Sequence, residues 1–268
     1  MKWSPEAETA IRKVPFFVRK KVRLRVEREA EDAGKDIVTL DDVKTTKARY
    51  LSKISAEVKG YQLDTCFGSE GCPNRAANSD HLFRETEAVL RQEDLLGFLT
   101  KTVNGPLKPH HEFRVTIADC PNACSQPQIK DIGIIGACLP RLTQEACTLC
   151  NACVNACLED AIQPDDRLNR IAIDFDRCLK CGKCADMCPT GTIVKHKTGF
   201  RVQLGGKLGR HPGLARELPG IYTERDVIDI IRACITFYKR NSRSGQRFSD
   251  LCNGENLDNV LKELPDLM

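Results

Sequence analysis

Twelve of the chain's fifteen cysteines fall into short, repeating spacings, and any fold open to this chain must bring those sulfurs together. Cys147, Cys150, Cys153 and Cys157 are spaced C-x2-C-x2-C-x3-C. Thirty-one residues on, the spacing returns at Cys178, Cys181, Cys184 and Cys188, followed by Pro189. Ile162 maps onto Ile193 at the same offset, so residues 140–198 read as a duplicated unit. Upstream stand Cys66-x5-Cys72 and Cys120-x3-Cys124. Thiols this dense need a soft metal to neutralise them and a reducing compartment to keep them from pairing. A secreted disulfide scaffold would be shorter and would not set cysteines in such tandem.

A cubane of iron and sulfide needs four thiolates on a body only a few ångströms across. Three ligands from one tight loop and a fourth from the following helix supply them with little loss of chain entropy. Structural zinc is the alternative for a lone C-x2-C pair, but two full quadruplets favour iron–sulfur chemistry. The tandem resembles the two-cluster bacterial ferredoxins, in which the fourth cysteine of each motif serves the other cluster. That resemblance implies Cys147, Cys150, Cys153 and Cys188 on one [4Fe–4S] cluster, and Cys178, Cys181, Cys184 and Cys157 on the second. Leu158 stands where those proteins have proline after the fourth cysteine. The outer pairs are weaker on spacing alone: a loop and a strand end could bring four sulfurs to one further cluster.

Other chemistry is argued against by bulk properties. A net charge of +4 and 6% aromatic residues do not describe a nucleic-acid binder. No run approaches the ~20 apolar residues of a membrane span. Met1–Glu6 carries no apolar leader, so a cytoplasmic protein is expected. Neither a GxGxxG nor a Walker sequence is present, and Gly205-Gly206 is too short for a nucleotide loop. Electrons would therefore arrive from a protein donor.

Three segments organise the chain. Residues 1–48 read as a small helical module. It has one helix capped by Ser4 with Pro5 in its first turn, a basic helix from Phe16 to Ala33 stopped by Gly34, and a third begun by a Thr39/Asp42 capping box. Residues 49–138 with 199–268 form a second, discontinuous unit. Here Lys53–Leu63 is expected as strand, Cys66–Asn74 as loop and Asp80–Thr100 as helix, with strands at Phe113–Ala118, Asp131–Ala137 and Phe200–Leu204. An amphipathic helix at Thr223–Tyr238 buries Val227, Ile228, Ile231 and Ile235, and the polar tail ends in a short helix. Residues 139–198, the cysteine repeat, interrupt this unit.

The segments Cys66-Phe-Gly-Ser-Glu-Gly-Cys72-Pro, Val115-Thr-Ile-Ala-Asp-Cys120-Pro-Asn-Ala-Cys124, Asp131-Ile-Gly-Ile-Ile-Gly136 and Leu204-Gly-Gly-Lys-Leu-Gly209 resemble, in order, the siroheme-dependent sulfite and nitrite reductases. The position of the repeat, in the hairpin between the third and fourth pieces, is similar to the dissimilatory and small anaerobic members. The resemblance implies an α+β fold: a sulfite-reductase-like half-domain with an inserted ferredoxin-like 2[4Fe–4S] domain and the N-terminal helical module. It implies that Cys66, Cys72, Cys120 and Cys124 hold a third [4Fe–4S] cluster. It also implies that Cys124 bridges to siroheme iron and that Asn122 touches the macrocycle. These enzymes normally carry a ferredoxin-like half before the first cysteine pair, and residues 1–48 do not resemble it. Through Trp3-Ser-Pro-Glu-Ala-Glu and Lys13-Val-Pro-Phe-Phe-Val-Arg19 they look like the small C-terminal domain of the B polypeptide of light-independent protochlorophyllide reductase. Either a second subunit or another copy then completes the siroheme pocket, or siroheme is held differently, or it is absent.

Arg75, Lys207, Arg210 and His211 flank the cluster loops and could bind an anion and donate protons, against the reading that they are solvated charges. His110 and His111 read as an exposed loop pair, and Arg19–Arg25 as a solvated basic face or a dock for an acidic partner or a propionate. Cys138, Cys234 and Cys252 fit neither signature; Cys138 and Cys234 read as structural. The leading expectation is an enzyme that passes electrons from the ferredoxin unit to a siroheme–[4Fe–4S] centre and reduces sulfite or nitrite. A non-catalytic multi-cluster electron-transfer subunit is the first alternative, a tetrapyrrole-interacting scaffold the second.

Overall fold

The computed structural model describes residues 1–165 and 170–252. The short helix expected at the end of the tail lies outside the described residues. Two compact units emerge: Met1–Val58 with Val103–His111, and Lys59–Thr102 with Glu112–Met268.

In the first unit a two-residue parallel pair, β1 (Lys2–Trp3) and β2 (Ile37–Val38), ties together α1 (Pro5–Arg12), α2 (Phe16–Asp32) and α3 (Leu40–Glu57). The expected caps form. Ser4 Oγ accepts the Ala7 N–H at 3.2 Å, and Thr39 and Asp42 make a reciprocal box. Gly34 adopts φ +69, ending α2 as expected. Ala7, Val26, Ala30 and Val38 form the small core.

One expectation is corrected. Lys53–Glu57 continues α3 and does not begin a strand, so the boundary expected after residue 48 falls inside a helix. A capped helix propagates at low cost until something stops it, and here the extended Val58 does. The strand that follows is β3 (Tyr61–Thr65).

The second unit is built on a five-stranded sheet ordered β3–β4–β5–β8–β9, from β3, β4 (Phe113–Ala118), β5 (Ile132–Leu142), β8 (Ile193–Leu204) and β9 (Arg216–Glu217). The first three strands run parallel, and β8 returns antiparallel to β5. Helices α4 (Asp80–Gln92), α5 (Leu95–Thr102) and α8 (Glu224–Asn241) cover it. Leu82, Val89, Val227, Ile231 and Ile235 meet Ile117, Ile132 and Val202 in one core, and Phe113 stacks edge-on against Phe248 at 5.3 Å. Ile228 lies at that core's margin. A short helix, α9 (Phe248–Leu251), ends the described chain.

The helix expected across Asp80–Thr100 breaks in two because Asp94 takes φ +39 and its carboxylate accepts the Gly97 N–H at 3.1 Å. An aspartate that caps a new helix outcompetes continuation of the old one. The hairpin β5/β8 is longer on both arms than expected. Pairing runs from Ile132↔Leu204 to Leu142↔Ile193, with a register shift at Leu139/Pro140. A proline at a bulge loses no ladder bond, which is how the strand passes it. At the hairpin's far end stand α6 (Ala152–Ala156), β6 (Ile162–Asp165), β7 (Arg170–Ile173) and α7 (Lys183–Met187). No helix among the described residues is long and apolar enough to cross a membrane.

Candidate metal centres

Parallel pairing of β3 with β4 sets Thr65 beside Ile117, so the loops leaving both strands emerge at one edge of the sheet. Cys66 leaves the first and Cys120 the second, and the Cys66 N–H closes on the Ile117 carbonyl at 3.1 Å. Burial raises the Cys120 thiol, against the Asn122 N–H, and the neighbouring sulfurs of Cys72, Cys66 and Cys124 push it the same way. Cys66, Cys72 and Cys124 are therefore all neighbours of Cys120. Cys120 is buried, and Cys124 is exposed.

Asp119 organises this loop cluster. Its N–H donates to Cys66 Sγ at 3.2 Å, and its carbonyl accepts from Ala76 and Ala77 at 2.8 and 3.2 Å. Its buried carboxylate accepts from Ser79 Oγ at 2.5 Å and Arg75 Nε at 2.6 Å. Gly68 is required beside it, because a Cβ there would stand 2.2 Å from the carboxylate. The cysteine signature did not point to Asp119. The available signal was a charged residue directly after the apolar Val115–Ala118 strand, where burial demands a partner.

The repeat is a pseudo-twofold structure. Its offset carries Leu142 onto Ile173 and Ile162 onto Ile193, and the sheet pairs Leu142 with Ile193 and Ile162 with Ile173. Each half borrows its partner strand from the other. The loops match also: Leu149 and Asn151 take φ +51 and +57, and Lys180 and Gly182 take +60 and +76. Non-glycine residues hold such conformations only when their surroundings compel it. The loops turn N–H groups onto the sulfurs: Leu149 to Cys147 and Lys180 to Cys178, both at 3.4 Å. Ala161 N–H meets Cys157 Sγ and Ile193 N–H meets Cys188 Sγ, again at 3.4 Å.

The thiols sort across the halves. Burial raises Cys184 to about 12, with Cys181, Cys178 and Cys157 adding to it. Burial likewise raises Cys178, against the Lys180 N–H, with Cys181 and Cys157 adding. Cys153 is raised by burial, with Cys188 and Cys147 among its neighbours. Cys188 moves the other way, down to about 7: burial is outweighed by the Ile193 N–H and by the hydroxyl and N–H of Thr190.

Cys138 joins the outer and inner sets. Fully buried, it clusters with Cys120 and Ala76, and its N–H donates to the Lys180 carbonyl at 2.7 Å. Gly182 packs so closely that a Cβ would lie 2.8 Å from that of Cys138. One cavity is lined by Cys120, Pro121 and Asn122 on one side and by Cys157, Cys178, Cys181 and Cys184 on the other.

The cations expected to meet an anion are differently placed. Arg75 also donates to Asn78 and Asp80, both at 2.8 Å, which makes it a clamp within the loop. Lys207 is paired with Asp250. Arg210 and His211 lie exposed in the following loop. His110 and His111 sit in a single 3-10 turn with their ring centroids 4.2 Å apart. Cys234 is buried in α8 with Cys252 as a neighbour, and burial raises both thiols. Among the described residues no three His, Cys, Asp or Glu side chains are gathered tightly enough for a single metal ion.

Residues 62–266 match the family described as nitrite and sulphite reductase 4Fe-4S domain, and residues 3–47 match the proto-chlorophyllide reductase 57 kD subunit. The coenzyme F420-dependent sulfite reductase of Methanocaldococcus jannaschii is 32% identical over 67% of this chain and 28% of its own length. The C polypeptide of the anaerobic sulfite reductase of Salmonella typhimurium is 29% identical over 45% of this chain and 29% of its own. The B polypeptide of the light-independent protochlorophyllide reductase of Pelodictyon phaeoclathratiforme is 51% identical over 47 residues, which are 18% of this chain and 9% of that protein. The chain thus spans under a third of each of these relatives. In fold it is similar to dissimilatory sulfite reductase I, with a TM-score of 0.51 at 13% identity, covering 75% of this chain and 51% of that one.

Proposed function

The chain belongs to the nitrite and sulphite reductase 4Fe-4S family, and from that premise we propose that it is the redox subunit of a sulfite- or nitrite-reducing enzyme, holding three [4Fe–4S] clusters. The observation that supports the reading is that eleven of the twelve thiols fall into three neighbour sets, two of them crossed between the halves of the repeat. The donor set fits such clusters. Backbone N–H groups turned onto sulfur favour the thiolate and tune a cluster's potential. Two full quadruplets of the ferredoxin spacing favour such clusters over single zinc.

When bound, the clusters would supply one-electron steps, and siroheme an iron to which the anion binds. Cys124 is the residue that fits siroheme, because its thiol is exposed at the rim of an otherwise shielded quartet; Asn122 beside it is exposed too. Cys157, Cys178, Cys181 and Cys184 share a cavity with Cys120, which supports an electron path from that set to the outer one, with Cys147, Cys150, Cys153 and Cys188 proposed as the set nearer a protein donor.

Within this chain Arg75 and Lys207 are already ion-paired, which leaves Arg210 as the proposed anion contact with open geometry. That observation favours a second subunit or copy completing the pocket. It also supports the second reading, an electron-transfer subunit that performs no chemistry itself. Anaerobic purification decides between them. About thirteen irons per chain, twelve in clusters and one in siroheme, siroheme in a pigment extract and sulfite- or nitrite-dependent oxidation of a low-potential dye are expected. Three clusters without pigment would establish the second reading, and bound zinc would overturn both.

A further inference from the structure

The first unit contains no cysteine, so it takes no part in holding clusters. Its match over residues 3–47 recurs in a different reductase family, the behaviour of a portable module. Between α2 and α3 it carries a groove of about 720 Å³. The floor is apolar: Val14, Val18, Val22 and Val26 line one wall, Val43 and Leu51 the other. The rim is cationic, with Lys21 and Arg25 along α2, Lys44 and Lys47 along α3, and Lys13 at one end. All five are exposed.

No carboxylate lines the groove, and none of the five rim cations forms an ion pair among the described residues. Elsewhere in the unit Arg23, Lys35 and Arg49 have found acidic partners. Four lysines without an acidic partner, with Arg25 held on the Tyr50 ring, set a cationic field around an apolar trough that an anionic partner would neutralise.

We propose that this groove docks an acidic amphipathic helix of a partner polypeptide. Shape argues for a helix: along α2 the valines recur every fourth residue, rising roughly 12 Å from Val18 to Val26, a straight apolar seam along which a helix about 10 Å across can lie. Two cationic rails flanking an apolar seam are the complement of Glu or Asp on both sides of a Leu stripe, as in coiled-coil flanking positions. Arg25 stacks over Tyr50 at 4.9 Å and stiffens one end of the seat.

The test uses the full chain, purified anaerobically, and a labelled 18-residue helical peptide with Leu at the seam and Glu on both flanks, followed by fluorescence anisotropy. Binding that weakens as salt rises is expected. Reversing three exposed rim charges (Lys21→Glu, Lys44→Glu and Lys47→Glu) should weaken it about tenfold and transfer preference to the same peptide with Lys flanks. Val22→Asp should abolish binding of either peptide. The proposal is overturned if the peptide does not bind, if charge reversal leaves its affinity within twofold, if oleate occupies the groove and the peptide does not, or if the groove mediates self-association of the chain.

Discussion

If the chain holds the three clusters proposed, replacing Asp119 by alanine should release one and leave two. The carboxylate is buried, and it holds Arg75 at 2.6 Å and Ser79 at 2.5 Å. Breaking a fully buried ion pair costs about 3–5 kcal/mol. Arg75, however, remains 24% exposed and keeps Asp80, which brings the loss nearer about 2 kcal/mol. Ser79 Oγ, left buried without its acceptor, adds about 1 kcal/mol. The total of about 3 kcal/mol falls on the Cys66–Ser79 loop and raises its open population by roughly 150-fold. The inner quartets have no bond to this carboxylate and should keep their closed state. The assay is anaerobic iron release to a chelator. About a third of the iron should leave some hundredfold faster than in the parent protein, with the rest unchanged. Asp119→Asn keeps an acceptor for Ser79, which leaves a loss of about 2 kcal/mol, and its acceleration should be nearer thirtyfold. Uniform acceleration of all the iron, or none at all, would refute the assignment of Asp119 as the local clamp.

The proposed crossed ligation would make the inner sulfurs non-additive in a specific pattern. Cys157→Ser combined with Cys184→Ser should cost about four irons per chain, the same as either alone, whereas Cys157→Ser with Cys153→Ser should cost about eight; uncrossed motifs would give the opposite pattern in an iron assay. Burial raises the Asp131 carboxyl to about 6, against Arg247 and the N–H groups of Arg114 and Ser249. An acid whose folded pKa is raised stabilises the fold most while protonated and loses that contribution as pH climbs from about 4 through about 6. Between pH 5 and pH 7 the loss is about 1.3 kcal/mol. The difference in unfolding free energy between parent and Asp131→Asn should show that slope, and a flat difference would refute it.

The features legible in the sequence were those whose information is local. The cysteine spacings, the exact repeat offset, the Ser4 and Thr39 caps and the stop at Gly34 each depend on residues within a few positions of one another. A thirty-one-residue offset preserved through four cysteines also carried the pairing symmetry, since equivalent strands must find equivalent partners. What tertiary structure decided were contacts between residues far apart in the chain. α3 ran on through Glu57 because nothing local opposed it, and only the seating of β3 against β4 fixed where the sheet begins. Arg75 looked like a free cation until the fold brought Asp119, forty-four positions away, to 2.6 Å; Lys207 was claimed by Asp250 in the same manner. Cys138, outside both signatures, came to lie between them because a hairpin strand passes there. Spacing can state which sulfurs share a loop, but which charges are left for chemistry depends on the neighbours that folding supplies.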